Sequence, residues 1–145
     1  MKIAVGCDPN AAEYKRQIVA FVESLGHEIV DFGSDDTIYA NVAISVAEAV
    51  VAGQYDRGIL MCGTGIGVSI AANKVNGAYC ALCNDVYQAK RAQLSNNANL
   101  IALGAFVTGI ELGKELVRAY LGQTFDPQSR SLPKIERIIG YEATR

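Results

Sequence analysis

The sequence predicts a three-layer α/β/α fold: a flavodoxin-like five-stranded parallel sheet with helices on both faces, followed by a C-terminal tail helix. Three observations lead there. Short apolar runs alternate with segments of helical period, the runs are near-continuously apolar as strands buried on both faces are, and glycines punctuate the boundaries. At 145 residues the chain has the size of one domain, able to bury about two thirds of its unfolded surface. Residues 1–123 make the sheet domain, and residues 124–145 make a tail expected to pack on a neighbouring subunit.

Lys2 to Cys7 is the first apolar run, and Asp8-Pro9-Asn10 is the turn after it, with Asn10 as cap of the first helix. Ile18, Phe21, Val22 and Leu25 recur at i, i+3, i+4 and i+7, so that helix has one apolar face, and Gly26 ends it. His27 to Gly33 is a short second strand. Ser34 to Ala40 is a polar loop carrying Tyr39, and Val42, Val46, Ala49 and Val50 mark the second helix. Gly58 to Met61 is the central strand. A helix from Ile66 to about Lys74, a strand over Ala78 to Leu82, a helix from Asp85 to Leu94 and a strand over Leu100 to Leu103 follow. Leu112, Leu116, Ala119 and Tyr120 give the last long helix one apolar face. Short right-handed crossovers imply the strand order 2-1-3-4-5, which opens a crevice at the carboxyl ends of strands 1 and 3.

The formal charge of −2 and pI of about 5.4 leave no basic field, so nucleic acid is excluded as a partner. Every apolar run breaks before the ~20 residues of a membrane span, and the N-terminus lacks the layout of a signal peptide. A cytoplasmic protein with reduced cysteines is expected. Cys80-Ala-Leu-Cys83 has the spacing of a redox or zinc motif, but in a strand residues three apart point to opposite faces, so packed thiols are expected and no metal site. His27, the only histidine, lies between a helix and a strand, away from the crevice.

The crevice should gather Cys7-Asp8-Pro9-Asn10 and the run Gly58-Ile-Leu-Met-Cys-Gly-Thr-Gly-Ile-Gly67. Gly63, Gly65 and Gly67 let the backbone turn sharply and direct several N–H groups to one point, an anion site. Cys62 beside that positive cluster should ionise more readily than a free thiol of pKa about 8.5. Two readings stand together: a reactive cysteine next to a cradle for negative charge, and a phosphate-binding turn preceded by a buried cysteine. The turn is not a P-loop, and Val68 occupies the third-glycine place of the dinucleotide fingerprint. A small phosphorylated or carboxylated ligand with a thiol beside it remains. A thiol-redox protein is the rival, in which Cys7 approaches Cys62 across adjacent strands.

The tail leaves through Pro127 and Pro133 and carries Arg130, Lys134 and Arg137 opposite a stripe of Leu132, Ile135, Ile138 and Ile139. A dimer in which this tail delivers cations to a neighbour's crevice is one expectation, and a solvated charged face is the other.

Gly6-Cys7-Asp8, Tyr39, Cys62-Gly-Thr-Gly-Ile-Gly67, Ala72-Asn73-Lys74 and Asn96-Asn97-Ala98-Asn99 resemble the family of B-type ribose-5-phosphate and galactose-6-phosphate isomerases through nearly the whole chain. The resemblance implies a metal-free and cofactor-free aldose-ketose isomerase of small sugar phosphates, a homodimer or homotetramer with active sites shared between subunits. It implies Cys62 as the base moving a proton between C1 and C2 through an enediolate, with the amides of Gly63, Gly65, Ile66 and Gly67 receiving the oxyanion. By the same resemblance Thr64 joins Cys62 at the catalytic centre as a polar contact to the substrate, Asp8 binds sugar hydroxyls, Tyr39, Ser95 and Asn96 contact substrate, and Arg130 and Lys134 bind phosphate. Three positions depart from the family. Pro9 follows Asp8 where a histidine is usual, Ser95 stands where a ring-opening histidine is found, and Phe106 replaces an arginine often seen. A tetrose 4-phosphate cannot form the furanose ring, because its 4-oxygen carries the phosphate. The Ser95-Asn-Asn-Ala98 pattern and Tyr39-Ala40-Asn41 are similar to the D-erythrulose-4-phosphate branch, which places that substrate ahead of ribose 5-phosphate, with the galactose-6-phosphate branch a third candidate; a sugar-phosphate-binding protein without turnover is a further alternative.

Overall fold

The computed structural model describes residues 1–145. The strands are β1 (Lys2–Cys7), β2 (Glu28–Asp31), β3 (Arg57–Cys62), β4 (Cys80–Leu82) and β5 (Leu100–Gly104). The helices are α1 (Ala12–Ser24), α2 (Tyr39–Val51), α3 (Ile66–Ala72), α4 (Val86–Asn96), α5 (Ile110–Leu121) and α6 (Leu132–Glu142). No helix is long and apolar enough to cross a membrane.

All strand pairs are parallel, and the order is β2-β1-β3-β5-β4. The α/β/α sheet with helices on both faces is the one expected, but the last two strands exchange places relative to 2-1-3-4-5. Their burial explains the exchange. All five residues of β5 are buried and need a neighbour on each side, whereas β4 has three residues, two of them only half-buried, and suits an edge. β5 therefore pairs with β3 from Gly58↔Leu100 to Cys62↔Gly104, and with β4 on its other side. Because the chain turns back from β4 to β5, a right-handed crossover carries α4 to the face that holds α1 and α5, while α2 and α3 cover the other.

Side chains alternate across the sheet with period two. Ile3, Val5, Cys7, Ile59, Met61, Ile101 and Leu103 point to the α1/α4/α5 side, and Ala4, Leu60, Cys62, Leu100 and Ala102 to the α2/α3 side. Cys80 and Cys83 fall on opposite sides, as three-residue spacing in a strand requires. The same alternation separates Cys7 from Cys62: Cys7 is level with Met61, and its side chain enters the opposite layer. The redox pairing considered for these two thiols is excluded by the pleat.

The edge strand is held by two asparagines of the family-like segments. Asn73 Nδ2 donates to Cys80 O and its Oδ1 accepts the Cys80 N–H, both at 2.9 Å. Asn99 Oδ1 accepts the Tyr79 N–H at 2.8 Å, and its Nδ2 donates to Gly77 O at 2.9 Å. Asn73 stands in for a missing strand on the open edge, while Asn99, just ahead of β5, ties down the segment that leads into β4.

Candidate active site

β1 and β3 end side by side, and the segments that follow them form one wall each of a cleft of about 510 Å³. Asp8, Asn10, Tyr39, Cys62, Gly63 and Thr64 line it together with Ile66, Gly67, Ile70 and Phe106. Asp8 and Asn10 are there as expected while Cys7 and Pro9 are not, and Ile70 was not among the residues expected.

The turn after β3 is built around Gly65, which caps α3 with φ 77° in the left-handed region. A side chain there would be strained, and its Cβ would lie 2.9 Å from the backbone carbon of Leu103. This conformation brings the Gly65 N–H to 3.1 Å from Cys62 Sγ, to which it donates. Thr64 Oγ1 accepts the Ile66 N–H at 3.3 Å and tightens the turn. The N–H groups of Gly63, Thr64 and Gly67 find no acceptor within the chain. Cys62 is 5 % exposed: its β-carbon belongs to the buried α2/α3 layer while the residue also lines the cleft. The other cysteines lie outside this cleft, and burial pushes Cys7 and Cys83 up to about 11 and Cys80 up to about 12. They remain protonated thiols at neutral pH.

Opposite the turn, Asp8 is buried, yet Oδ1 has no partner. Its other oxygen accepts from Asn10 Nδ2 at 3.3 Å. A buried acceptor without a donor costs about 1–3 kcal/mol, and a ligand hydroxyl entering the cleft removes that cost. Asn10 was expected to cap the first helix. Instead Pro9 starts a 3₁₀ turn over Pro9–Ala11, α1 begins at Ala12, and the Asn10 side chain is left beside the carboxylate. The signal was present in the sequence as an amide two residues from the acid.

Tyr39 was read as part of a loop, but it opens α2. Asp36 sets that entry, accepting the Ile38 N–H at 2.8 Å and Asn41 Nδ2 at 2.9 Å. The Asn41 bond, with the Ile38 N–H, holds the Asp36 carboxyl below its usual range. So placed, the tyrosine ring lies on Gly67, where a Cβ would come 2.9 Å from its hydroxyl.

Ser95, Asn96, Arg130 and Lys134 do not join this cleft. α4 runs antiparallel to the strands, so Ser95 and Asn96 at its C-terminus stand at the amino end of the sheet. Ser95 Oγ accepts from Arg91 Nε at 2.6 Å, and Asn96 lines a second cavity of about 210 Å³ with Asn73, Tyr79, Cys80, Ile135 and Ile138. Arg130 precedes α6, Lys134 lies in its first turn, and both are exposed. α6 docks on its own chain through buried Ile135 and through Glu142, which accepts the Gly77 N–H at 3.0 Å and the Tyr79 hydroxyl at 2.8 Å. His27 Nδ1 is 3.2 Å from the Met1 amino group, next to β2, the edge strand farthest from β4.

A family model described as Ribose/Galactose Isomerase matches residues 3–138. The chain belongs to the ribose/galactose isomerase family. Among members of that family, D-erythrulose-4-phosphate isomerase of Pectobacterium atrosepticum is 46% identical over 98% of this chain and 95% of its own length. Ribose-5-phosphate isomerase B of Escherichia coli is 41% identical over 99% of this chain and 98% of its own. The solved ribose-5-phosphate isomerase B of Clostridium thermocellum superimposes with a TM-score of 0.94, is 39% identical, and each chain covers 99% of the other. The isomerase family thus accounts for both the sheet and the glycine turn. The two asparagines that clamp β4 lie within the segments that carried the resemblance, so part of that pattern is structural rather than catalytic.

Proposed function

We propose that this protein interconverts a small aldose phosphate and its ketose, with Cys62 moving a proton between C1 and C2. The observation that carries the reading is the Gly65 N–H on Cys62 Sγ, at 3.1 Å, in a cleft where the amides of Gly63, Thr64 and Gly67 are free. That bond fixes the sulfur beside the turn amides. The free amides of Gly63, Thr64 and Gly67 supply donors for the enediolate oxygen as charge develops on it, the kind of interaction that is worth about 10²–10³ in rate per donor. Asp8 Oδ1 accepts a sugar hydroxyl, with Asn10 steadying the other carboxylate oxygen.

The substrate we favour is D-erythrulose 4-phosphate and its aldose. A pentose phosphate closes into a furanose and needs an acid and a base to open it. The single imidazole of the chain is tied to the N-terminal amine beside β2, and Ser95 is held by Arg91. A tetrose 4-phosphate stays open and needs neither. The relatives named D-erythrulose-4-phosphate isomerase, from Pectobacterium atrosepticum and Mycolicibacterium smegmatis, support the same choice at 46% and 44% identity.

A homodimer completes the site. α3 exposes Ile66 at 51% and Ile70 at 57%, one turn apart, and it runs from the Cys62 turn to Asn73 beside the Asn96 cavity. Two copies packed through antiparallel α3 helices set Asn96 of one beside the cleft of the other. The tail, with Ile138 and Ile139 exposed at 49% and 45%, then lies against the neighbour and offers Arg130 and Lys134 to the phosphate.

A coupled assay of D-erythrulose 4-phosphate against D-ribulose 5-phosphate tests the reading. We expect kcat/KM to favour the tetrose; a ratio favouring the pentose rejects the substrate, and turnover of neither rejects the reaction.

A further inference from the structure

We infer that Phe106 determines specificity, its ring acting as a fixed apolar wall that sets how many carbons reach past Cys62. This rests on the isomerase reading above for its substrate, and on the following geometry for its mechanism.

Phe106, the second residue after β5, is mounted on the catalytic turn itself. Ala105 N–H donates to Cys62 O and Phe106 N–H to Gly63 O, both at 2.9 Å, while Thr108 N–H closes the loop onto Gly104 O at 2.9 Å. The Phe106 backbone therefore cannot move without moving the sulfur's own strand. Its ring lies flat enough on Gly63 that a Cβ there would come 2.9 Å from Cδ2 and 3.0 Å from Cε2. Gly63 is thus the residue that lets an aromatic side chain reach the oxyanion donors.

The ring is 73% exposed, yet it lines the cleft. A large apolar side chain held in water by two backbone hydrogen bonds has its free surface available to a ligand or a partner. With Ile66 and Ile70 it makes an apolar wall facing the polar one of Asp8 and Asn10. No lysine or arginine of the chain lines this cleft. A phosphate dianion pressed against the ring would lose hydration and gain no partner. The phosphate must stay on the sulfur's side of the ring, so the space between the sulfur and the ring limits the carbon chain between C1 and the phosphate. One additional carbon against a fixed wall is discriminated by about 10–200-fold.

The test compares wild type, Phe106→Ala and Phe106→Leu, the last retaining packing on Gly63. Two measurements are made: kcat/KM for the four- and five-carbon ketose phosphates, and calorimetric Kd for the four- and five-carbon aldonate phosphates, which imitate the enediolate without reacting. Phe106→Ala should reduce the four-to-five-carbon ratio by about tenfold or more in both measurements, with Phe106→Leu between it and wild type. A ratio within twofold of wild type, or equal losses for both lengths, overturns the inference. A wild-type protein with no turnover rejects the isomerase reading, and the Kd ratio then still decides the role of Phe106.

Discussion

The two ends of the sheet spend their polar groups differently. At the carboxyl end, Asp8 keeps one buried oxygen unpartnered and the turn amides of Gly63, Thr64 and Gly67 find no acceptor in the chain. At the amino end almost everything polar is used. Arg57 is buried, donates to Tyr120 O at 2.6 Å and also to Gln123 O, and stacks 4.9 Å above the Tyr120 ring. Burial there lowers its pKa. Asn99 is committed to β4, Gln93 donates to Ala98 O at 2.8 Å, and Ser95 takes Arg91. Open hydrogen-bonding capacity marks where a ligand goes, and closed networks mark where the fold is held. Asn96, exposed at the amino end, departs from that division, and the proposed dimer gives it a role in the neighbour's cleft.

The largest effect expected from breaking this contrast is at the sulfur. Cys62→Ala should lower kcat by about 10²–10⁴, the range for a positioned general base, while aldonate phosphate still binds. Retention of wild-type kcat in that variant would remove Cys62 from the mechanism.

Next is the assignment of Asn96 to a neighbour's cleft. Cys62→Ala and Asn96→Ala proteins, each impaired alone, are mixed after subunit exchange. Hybrid dimers then hold one intact site of two, and random pairing returns about a quarter of wild-type turnover. No recovery, with exchange verified by native mass spectrometry, would place Asn96 outside the shared site.

The smallest catalytic effect belongs to the closed network. Arg57→Leu removes the guanidinium donor from two carbonyls at the end of α5, at a cost of about 2 kcal/mol, which lowers Tm by about 4–8 °C. Its kcat/KM should stay within about twofold of wild type. A loss of activity larger than the loss of folded protein would show that the amino end couples to the chemistry.

Much of the architecture was legible in the sequence because burial leaves a mark on composition. The apolar runs located every strand, and the period of Ile18 and Val22 located α1's buried face, both residues being 0% exposed. The sharp turn after β3 was legible for a stricter reason: three alternate glycines after an apolar run let the backbone turn tightly, and Gly65 does take a left-handed conformation. Strand order was not legible in this way. Which of β4 and β5 sits inside depends on a comparison of their burial, and adjacency in sequence pointed to the other answer. Asn10 was placed in the crevice, but its role was hidden for a similar reason, since an asparagine before a helix reads as a cap until Pro9 is seen to open a 3₁₀ turn.

Residue types and spacing alone determined that a thiol would end the central strand beside a glycine turn, because those properties are local to a few consecutive residues. Only the tertiary structure decided that Cys7 faces away from Cys62, that Phe106 lies over Gly63, and that Asn96 and the tail cations stand at the other end of the sheet. Those outcomes depend on pleat, register and crossover direction, which are set by the packing of segments far apart in the chain.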